Sequence, residues 1–258
     1  MGGRGLLYRL YERRLAADLR RRGGLPQHVG VIIDGNRRWA RQLGMDTGAG
    51  HRRGADQIDH LLAWAHELGI PVVTLWLLST ENLLRRHRDE LAELLAIIEQ
   101  KVLQLARDAG PDGYRIVPVG QLEELPEQTR GRLLEAEAVS RGHTGGVLHV
   151  AVGYGGREEI ADAVGRLLGE YAEKGLDLAE ATGRLTPDEI ARHLYTAGMP
   201  DPDLIIRTSG EVRLSGFLLW QSAHSEYYFA DTYWPDFRKV DFLRALRSYA
   251  QRRRRFGE

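Results

Sequence analysis

The segment Val29-Gly30-Val31-Ile32-Ile33-Asp34-Gly35-Asn36-Arg37-Arg38-Trp39-Ala40 joins an apolar, β-branched run to a Gly-Asn turn and then to an arginine-rich start. That order predicts a strand over Val29 to Asp34, a tight turn, and a helix beginning at once. Outward from it the same alternation recurs. Strands are predicted over Val72 to Ser79, Tyr114 to Val119, Leu148 to Val152 and Leu204 to Thr208. Between them, amphipathic segments predict helices near His51 to Leu68, Asp89 to Asp108, Glu127 to Ser140, Glu158 to Glu173 and Pro187 to Tyr195. The expected fold is therefore α/β, a single domain with a mostly parallel central sheet flanked by helices. Right-handed crossovers put the loops after the strand carboxyl ends on one edge, where such sheets bind ligands.

The chain has 258 residues, long enough for one well-buried α/β core, and 36 Lys+Arg balance 36 Asp+Glu. Nothing in that balance points to nucleic acid. With no cysteine, disulfides, a thiolate nucleophile and a cysteine zinc site are excluded, and a reducing cytoplasm fits. The longest apolar stretch, Ile70 to Leu78, falls short of the ~20 residues that span a bilayer, and no secretory signal is legible. Residues 1–25 read as a basic amphipathic helix, with Leu6, Leu7, Leu10, Leu15 and Leu19 among its apolar positions and Arg4, Arg9, Arg13, Arg14, Arg20, Arg21 and Arg22 as its charge. Such a helix packs on the body or a partner subunit, or contacts a membrane surface. Residues 26–258 form the expected main domain, in a chain expected to be cytoplasmic, with peripheral membrane association left open.

Three strand ends carry the chemistry. At the first, Gly35 and Asn36 permit a tight turn, the next helix presents unpaired N–H groups, and Arg37 and Arg38 add charge beside Asp34. A lone Asp there is often a helix cap; an Asp among anion-binding groups suits a divalent ion bridging carboxylate and diphosphate. The second strand ends in Ser79-Thr80-Glu81-Asn82, followed by Arg85, Arg86 and Arg88, which also reads as a capped helix start with solvated arginines. The third runs into Arg207-Thr208-Ser209-Gly210-Glu211-Val212-Arg213-Leu214-Ser215-Gly216, a second anion site. Glu226 is a candidate second metal ligand, while Trp220, Tyr227, Tyr228, Phe229, Trp234 and Phe237 read as core or interface aromatics. Walker, Gly-x-Ser-x-Gly, Asp-Asp-x-x-Asp and His-Glu-x-x-His motifs are absent, and Gly153-Tyr154-Gly155-Gly156-Arg157 lacks dinucleotide spacing.

In order, His28-Val29 to Trp39, Ser79-Thr80-Glu81-Asn82, Gly153 to Glu158, Pro202 to Gln221, and Glu226 with Trp234-Pro235-Asp236-Phe237 and the terminal Arg254-Arg255-Phe256-Gly257 resemble the motifs of the cis-prenyltransferase family. The similarity covers roughly residues 26 to 257. It implies Mg²⁺ at Asp34 and Glu226, and an allylic diphosphate at Gly35, Asn36, Arg37, Arg38 and His51, with Trp39, Ser79, Thr80, Glu81 and Arg85 also against substrate. Isopentenyl diphosphate would lie at Arg207, Arg213, Leu214 and Ser215. Asn82 matches the residue assigned to proton removal; an amide is a poor base, so it is expected to orient substrate while a diphosphate oxygen takes the proton. The family resemblance also implies a homodimer in which Arg255 and Gly257 reach the neighbouring site.

Departures from the family pattern are Thr47 in place of an arginine, Leu83 in place of a tryptophan, and Val212 and Gly216 in place of polar residues. Leu77 stands where long-chain members carry a small tunnel residue, and the added volume implies early termination. Together with Asn36-Arg37-Arg38 and Ser215-Gly216-Phe217, it resembles the short-chain enzymes that extend geranyl diphosphate once to (2Z,6E)-farnesyl diphosphate. The alternatives are a long-chain polyprenyl diphosphate synthase and a catalytically silent partner subunit.

Overall fold

Every strand pairing in the computed structural model is parallel, across a six-stranded sheet ordered β3-β4-β2-β1-β5-β6. The structure describes residues 2–256, with side chains for residues 11–21 and 23–252. The strands are β1 (His28–Ile32), β2 (Val72–Ser79), β3 (Arg115–Val119), β4 (Val147–Tyr154), β5 (Leu204–Arg207) and β6 (Glu226–Phe229). The helices are α1 (Gly2–Arg22), α2 (Asn36–Gln42), α3 (Thr47–Glu67), α4 (Thr80–Arg85), α5 (Arg88–Asp108), α6 (Glu127–Ser140), α7 (Gly156–Glu173), α8 (Leu178–Arg184), α9 (Pro187–Ala191) and α10 (Lys239–Phe256).

Alternation along the strands divides the core. Val29 and Val31 of β1, with Val73 and Leu75 of β2, face a large cluster built with α1, α3, α5, α6 and α10. Ile32, Trp76, Ala151, Tyr154 and Ile205 face the other side, where Trp76 stacks on Phe217 at 5.2 Å between ring centroids. Leu15, Ala16 and Leu19 of α1 are buried and α1 packs on α10, so this helix rests on the body over the residues whose side chains are described. Arg20 adds an ion pair to Glu67 at 2.9 Å. No described helix is long and apolar enough to cross a membrane.

Two differences from the sequence reading matter. Leu204–Arg207 is not the last strand: β6 follows it, a half-buried edge strand too short and too evenly aromatic to show a period-two pattern. In β2, Trp76 pairs with Ala151 and Leu78 with Val152, so Leu77 is the extra residue of a bulge. A bulge breaks the alternation of the strand that carries it. Leu77 keeps the side of Val73 and Leu75, as alternation requires, and the bulge brings Leu78 onto that side as well. Smaller differences are boundaries: β1 stops at Ile32, two residues early, and α9 ends at Ala191.

Strand order positions the functional edge. The chain moves from β1 to β2 on one side, then returns after β4 to place β5 on the other side of β1. This reversal makes β1 a topological switch point, the place where parallel sheets open a crevice at their carboxyl ends.

Candidate active site

The carboxyl ends of β4, β2, β1 and β5, neighbours in the sheet, open into a cavity of ≈ 970 Å³. Asp34, Gly35, Asn36, Arg37, Arg38, His51, Leu77, Ser79, Thr80, Glu81, Asn82, Arg207, Arg213 and Ser215 all line it. Three junctions far apart in sequence thus become one surface.

Asp34 lies at the centre of the charged part. Its Oδ2 accepts from Arg207 Nη2 at 2.8 Å and its Oδ1 from Arg38 Nη2 at 3.2 Å. Thr208 fastens the backbone, accepting from Asp34 N at 3.0 Å and donating to Asp34 O at 2.7 Å. Burial alone would raise the Asp34 carboxyl; Arg207 outweighs it, helped by Ser209 and Arg38, and holds the group below its usual value. Gly35, at φ 107°, makes the turn that separates β1 from α2, and a Cβ there would meet the Tyr233 ring at 2.5 Å.

The loop after β5 carries three non-glycine residues at positive φ, Ser209, Ser215 and Leu218. Such strain persists where surrounding contacts impose it, often at functional sites. Here Ser209 Oγ accepts from Arg38 at 2.8 Å, and Ser215 Oγ accepts from Arg207 Nη1 at 3.0 Å. Glu211 accepts from Arg38 at 2.9 Å and from Arg213 at 2.5 Å, so one carboxylate spaces two arginines.

On the opposite wall, His51 Nε2 lies 3.2 Å from Arg86 Nη1, which also donates to Glu90 at 2.8 Å. Burial first, then the charge of Arg86, lowers the His51 pKa to about 4, leaving a neutral imidazole near pH 7. Burial also lowers the Arg86 pKa, and the neighbouring charge of Arg37 adds to that. Asn36 Oδ1, His51 Nδ1, Arg86 Nε and Arg207 Nε are buried without a hydrogen-bond partner, and all four residues line the cavity. Buried polar atoms are nearly always paired, so such a concentration marks groups kept open for a ligand. Gly54 sets the Asn36 position, since a Cβ on it would lie 2.5 Å from Asn36 Oδ1.

Another part of the lining is apolar. Ile58 of α3, Leu77 and Leu78 of β2, and Leu94, Ile97 and Ile98 of α5 contribute it.

Several expected site residues sit elsewhere. Arg85 faces out on the short α4, paired with Glu81 at 2.8 Å with 78 % of its side chain exposed, whereas the chain turns extended at Arg86 and sends that guanidinium inward. Trp39 and Leu214 do not line the cavity; Leu214 packs on the Trp76–Phe217 side of the sheet. Ser79 accepts from Asn82 N at 3.1 Å as the α4 cap, and Thr80 donates to Gly153 O at 3.1 Å, so both hold local structure while facing the cavity.

Glu226, expected beside Asp34, instead begins β6 in register with Leu204, while Arg207 pairs with Phe229. Three strand residues, roughly 10 Å, separate it from the carboxyl edge, and its carboxylate accepts from Arg252 at 2.8 Å. The Arg255 side chain and Gly257 lie outside the described residues. Arg86, Glu211 and Arg157, named within the sequence motifs but given no role against substrate, join the lining. An Arg directly after a six-residue capped helix was the available signal for the first.

A family model described as putative undecaprenyl diphosphate synthase matches residues 32–257. A (2Z,6E)-farnesyl diphosphate synthase of Thermobifida fusca (strain YX) is 58% identical over 252 residues, 97% of each chain. Isoprenyl transferase 1 of Streptomyces avermitilis is 52% identical over 254 residues, 98% of this chain and 97% of its own. Among solved structures, lavandulyl diphosphate synthase from Lavandula x intermedia in complex with dimethylallyl diphosphate superposes with a TM-score of 0.80 at 34% identity, covering 88% of this chain and 95% of the other.

Proposed function

The chain belongs to the undecaprenyl diphosphate synthase family, the cis-prenyltransferases, and on that premise we propose that it joins isopentenyl diphosphate to geranyl diphosphate, giving (2Z,6E)-farnesyl diphosphate. The observation that carries this reading is the two-part cavity, an arginine-rich part around Asp34 together with an apolar part lined by Leu77. A diphosphate and its prenyl tail have those two chemistries.

Asp34 is the group to hold Mg²⁺. No cluster of three His, Cys, Asp or Glu occurs among the described residues, and Mg²⁺ commonly takes one or two carboxylates with substrate phosphate oxygens supplying the rest. An ionised carboxylate set among diphosphate-binding cations fits that habit. Bound there, Mg²⁺ would neutralise charge developing on the departing diphosphate.

Asn36, Arg37, Arg38, His51 and Arg86 would bind the allylic diphosphate, and Arg207, Arg213 and Ser215 the other. The allylic C–O bond breaks with its electrons leaving on the diphosphate, and the double bond of isopentenyl diphosphate attacks the freed carbon. A proton is then lost to a diphosphate oxygen, leaving the cis double bond, with Asn82 orienting the substrate. Arginines fixed in advance stabilise the leaving charge without reorganising, which is how such a site accelerates the reaction. A homodimer belongs to the proposal: β6 is an unpaired, half-buried edge, and Glu226 lies on it.

Incubating the purified protein with isopentenyl diphosphate, Mg²⁺ and, separately, dimethylallyl, geranyl or E,E-farnesyl diphosphate tests the reading through product length and double-bond geometry. One cis addition to geranyl diphosphate is expected. A ladder of long cis products would replace it with the long-chain reading, and no product from any primer would remove catalysis.

A further inference from the structure

The apolar wall contributed by α5 ends in a charge. Leu94, Ile97, Ile98 and Lys101 line the cavity at helical spacing, and Lys101 is the last α5 residue to do so. Glu90 lies at the arginine-rich mouth, against Arg86; Lys101 follows eleven residues later, about 16 Å along the axis. The α3 wall ends at the same level. Ile58 is its last lining residue, and Asp59 comes next.

α3 and α5 run side by side in one direction, joined near the mouth by Arg52–Glu93 at 2.6 Å and deep down by Asp59–Lys101 at 2.7 Å. Lys101 is only 6 % exposed, and its Nζ donates also to Gln104 Oε1 at 2.8 Å. Its side chain therefore crosses the gap between the helices, with the stem against the cavity and the ammonium drawn to a carboxylate that is 42% exposed.

We propose that Lys101 is the floor of the product end of the cavity, a bar held across it by Asp59, and that it limits chain length at a deeper level than Leu77. The inference rests on the reading that the cavity holds a growing prenyl chain. A longer product would have to push the stem aside, pulling the buried ammonium away from the Asp59 and Gln104 oxygens that hold it. Neither the number of apolar wall residues nor Leu77 alone then decides where elongation stops.

The test is product length from geranyl diphosphate, isopentenyl diphosphate and Mg²⁺, with thermal unfolding alongside, for Lys101→Ala, Lys101→Met and Lys101→Arg in the full chain, each with and without Leu77→Ala. Lys101→Ala is expected to lengthen the main product by at least one five-carbon unit, and to add to the lengthening by Leu77→Ala. Lys101→Arg should keep the parent product. Lys101→Met, which keeps the stem and loses the tether, decides the matter if the alanine variant does not fold. Unchanged products in both backgrounds, with only the unfolding temperature moved, would make the ion pair a structural staple and overturn the proposal while the short-chain function stands. A parent protein that makes no short cis product overturns the functional reading itself, and the floor with it.

Discussion

Toward the amino ends of the strands, His28, Thr74 and His149 form a closed buried chain: His28 Nε2 meets Thr74 Oγ1 at 2.7 Å, and Thr74 meets His149 Nδ1 at 3.1 Å. The other His28 nitrogen lies 2.7 Å from Pro200 O. At the carboxyl ends of the same strands, Asn36, His51, Arg86 and Arg207 each keep a buried polar atom open. Polar burial is thus used in two ways within one sheet. The satisfied cluster stabilises and specifies the fold, whereas the open cluster is held in place by its surroundings with groups left over for a ligand.

Substitutions at the two edges should therefore separate activity from stability. Asp34→Ala should lower kcat by roughly 10²–10³-fold, the range for removing a preorganised electrostatic group, while the protein stays folded by circular dichroism. Full activity would show that the carboxyl-edge cluster is not the reaction centre. Arg86→Ala should raise the KM for the allylic diphosphate by about 10-fold or more, as expected for a lost charge-assisted hydrogen bond, with the KM for isopentenyl diphosphate much less affected. Equal changes for both substrates would place Arg86 outside the proposed subsite.

The amino edge should answer to acid. Burial, opposed for His28 by its bond to Pro200, lowers its pKa to about 4; burial followed by the nearby His28 lowers His149 to about 3. The unfolded chain therefore takes up protons, below its own pKa near 6.5, that the folded chain refuses. Each histidine then removes about 1.4 kcal/mol of stability per pH unit as pH falls from roughly 6 toward 4, and the loss stops once the folded group also protonates. Denaturant melts across that range measure the slope; a flat profile would mean the pair is charged in the native state. His51, also near 4, contributes in the same direction.

Thr74→Val should cost about 1–3 kcal/mol by leaving both histidines short of a partner, with kinetics unchanged. A kinetic defect there would blur the distinction between the two edges. The smallest effect is expected for Arg85→Ala. Its exposed pair with Glu81 contributes little, so both stability and KM should stay close to the parent, in contrast to its neighbour Arg86.

The contrast between Arg85 and Arg86 also shows where sequence reading stops. The polar motif after β2 is legible, and so is a helix beginning at Ser79, because capping and periodicity are local. Which of two adjacent arginines turns inward depends on α4 ending at Arg85 and on the extended backbone that follows. Leu78 illustrates the same limit. Alternation from Val73 and Leu75 already predicts the side of Leu77, but in a regular strand Leu78 would point to the opposite face; the bulge against β4 puts both on the cavity side. Glu226 is the converse case. A motif match placed it with Asp34, and its register in β6 sets it at the other end of the sheet.

By itself the sequence determined the α/β class, five of the six strands, and the three polar junctions with Asp34, Arg38 and Arg207 at their heart. Periodicity, turn chemistry and charge act over a few residues, and all three can be read along the chain. Only the tertiary structure decided that those junctions meet, that β6 forms the edge, that a bulge turns Leu78 to the side of Leu77 and that Lys101 crosses to Asp59. Each of these depends on pairing between segments remote in the chain, where strand order, register and helix packing place side chains that local signals leave free.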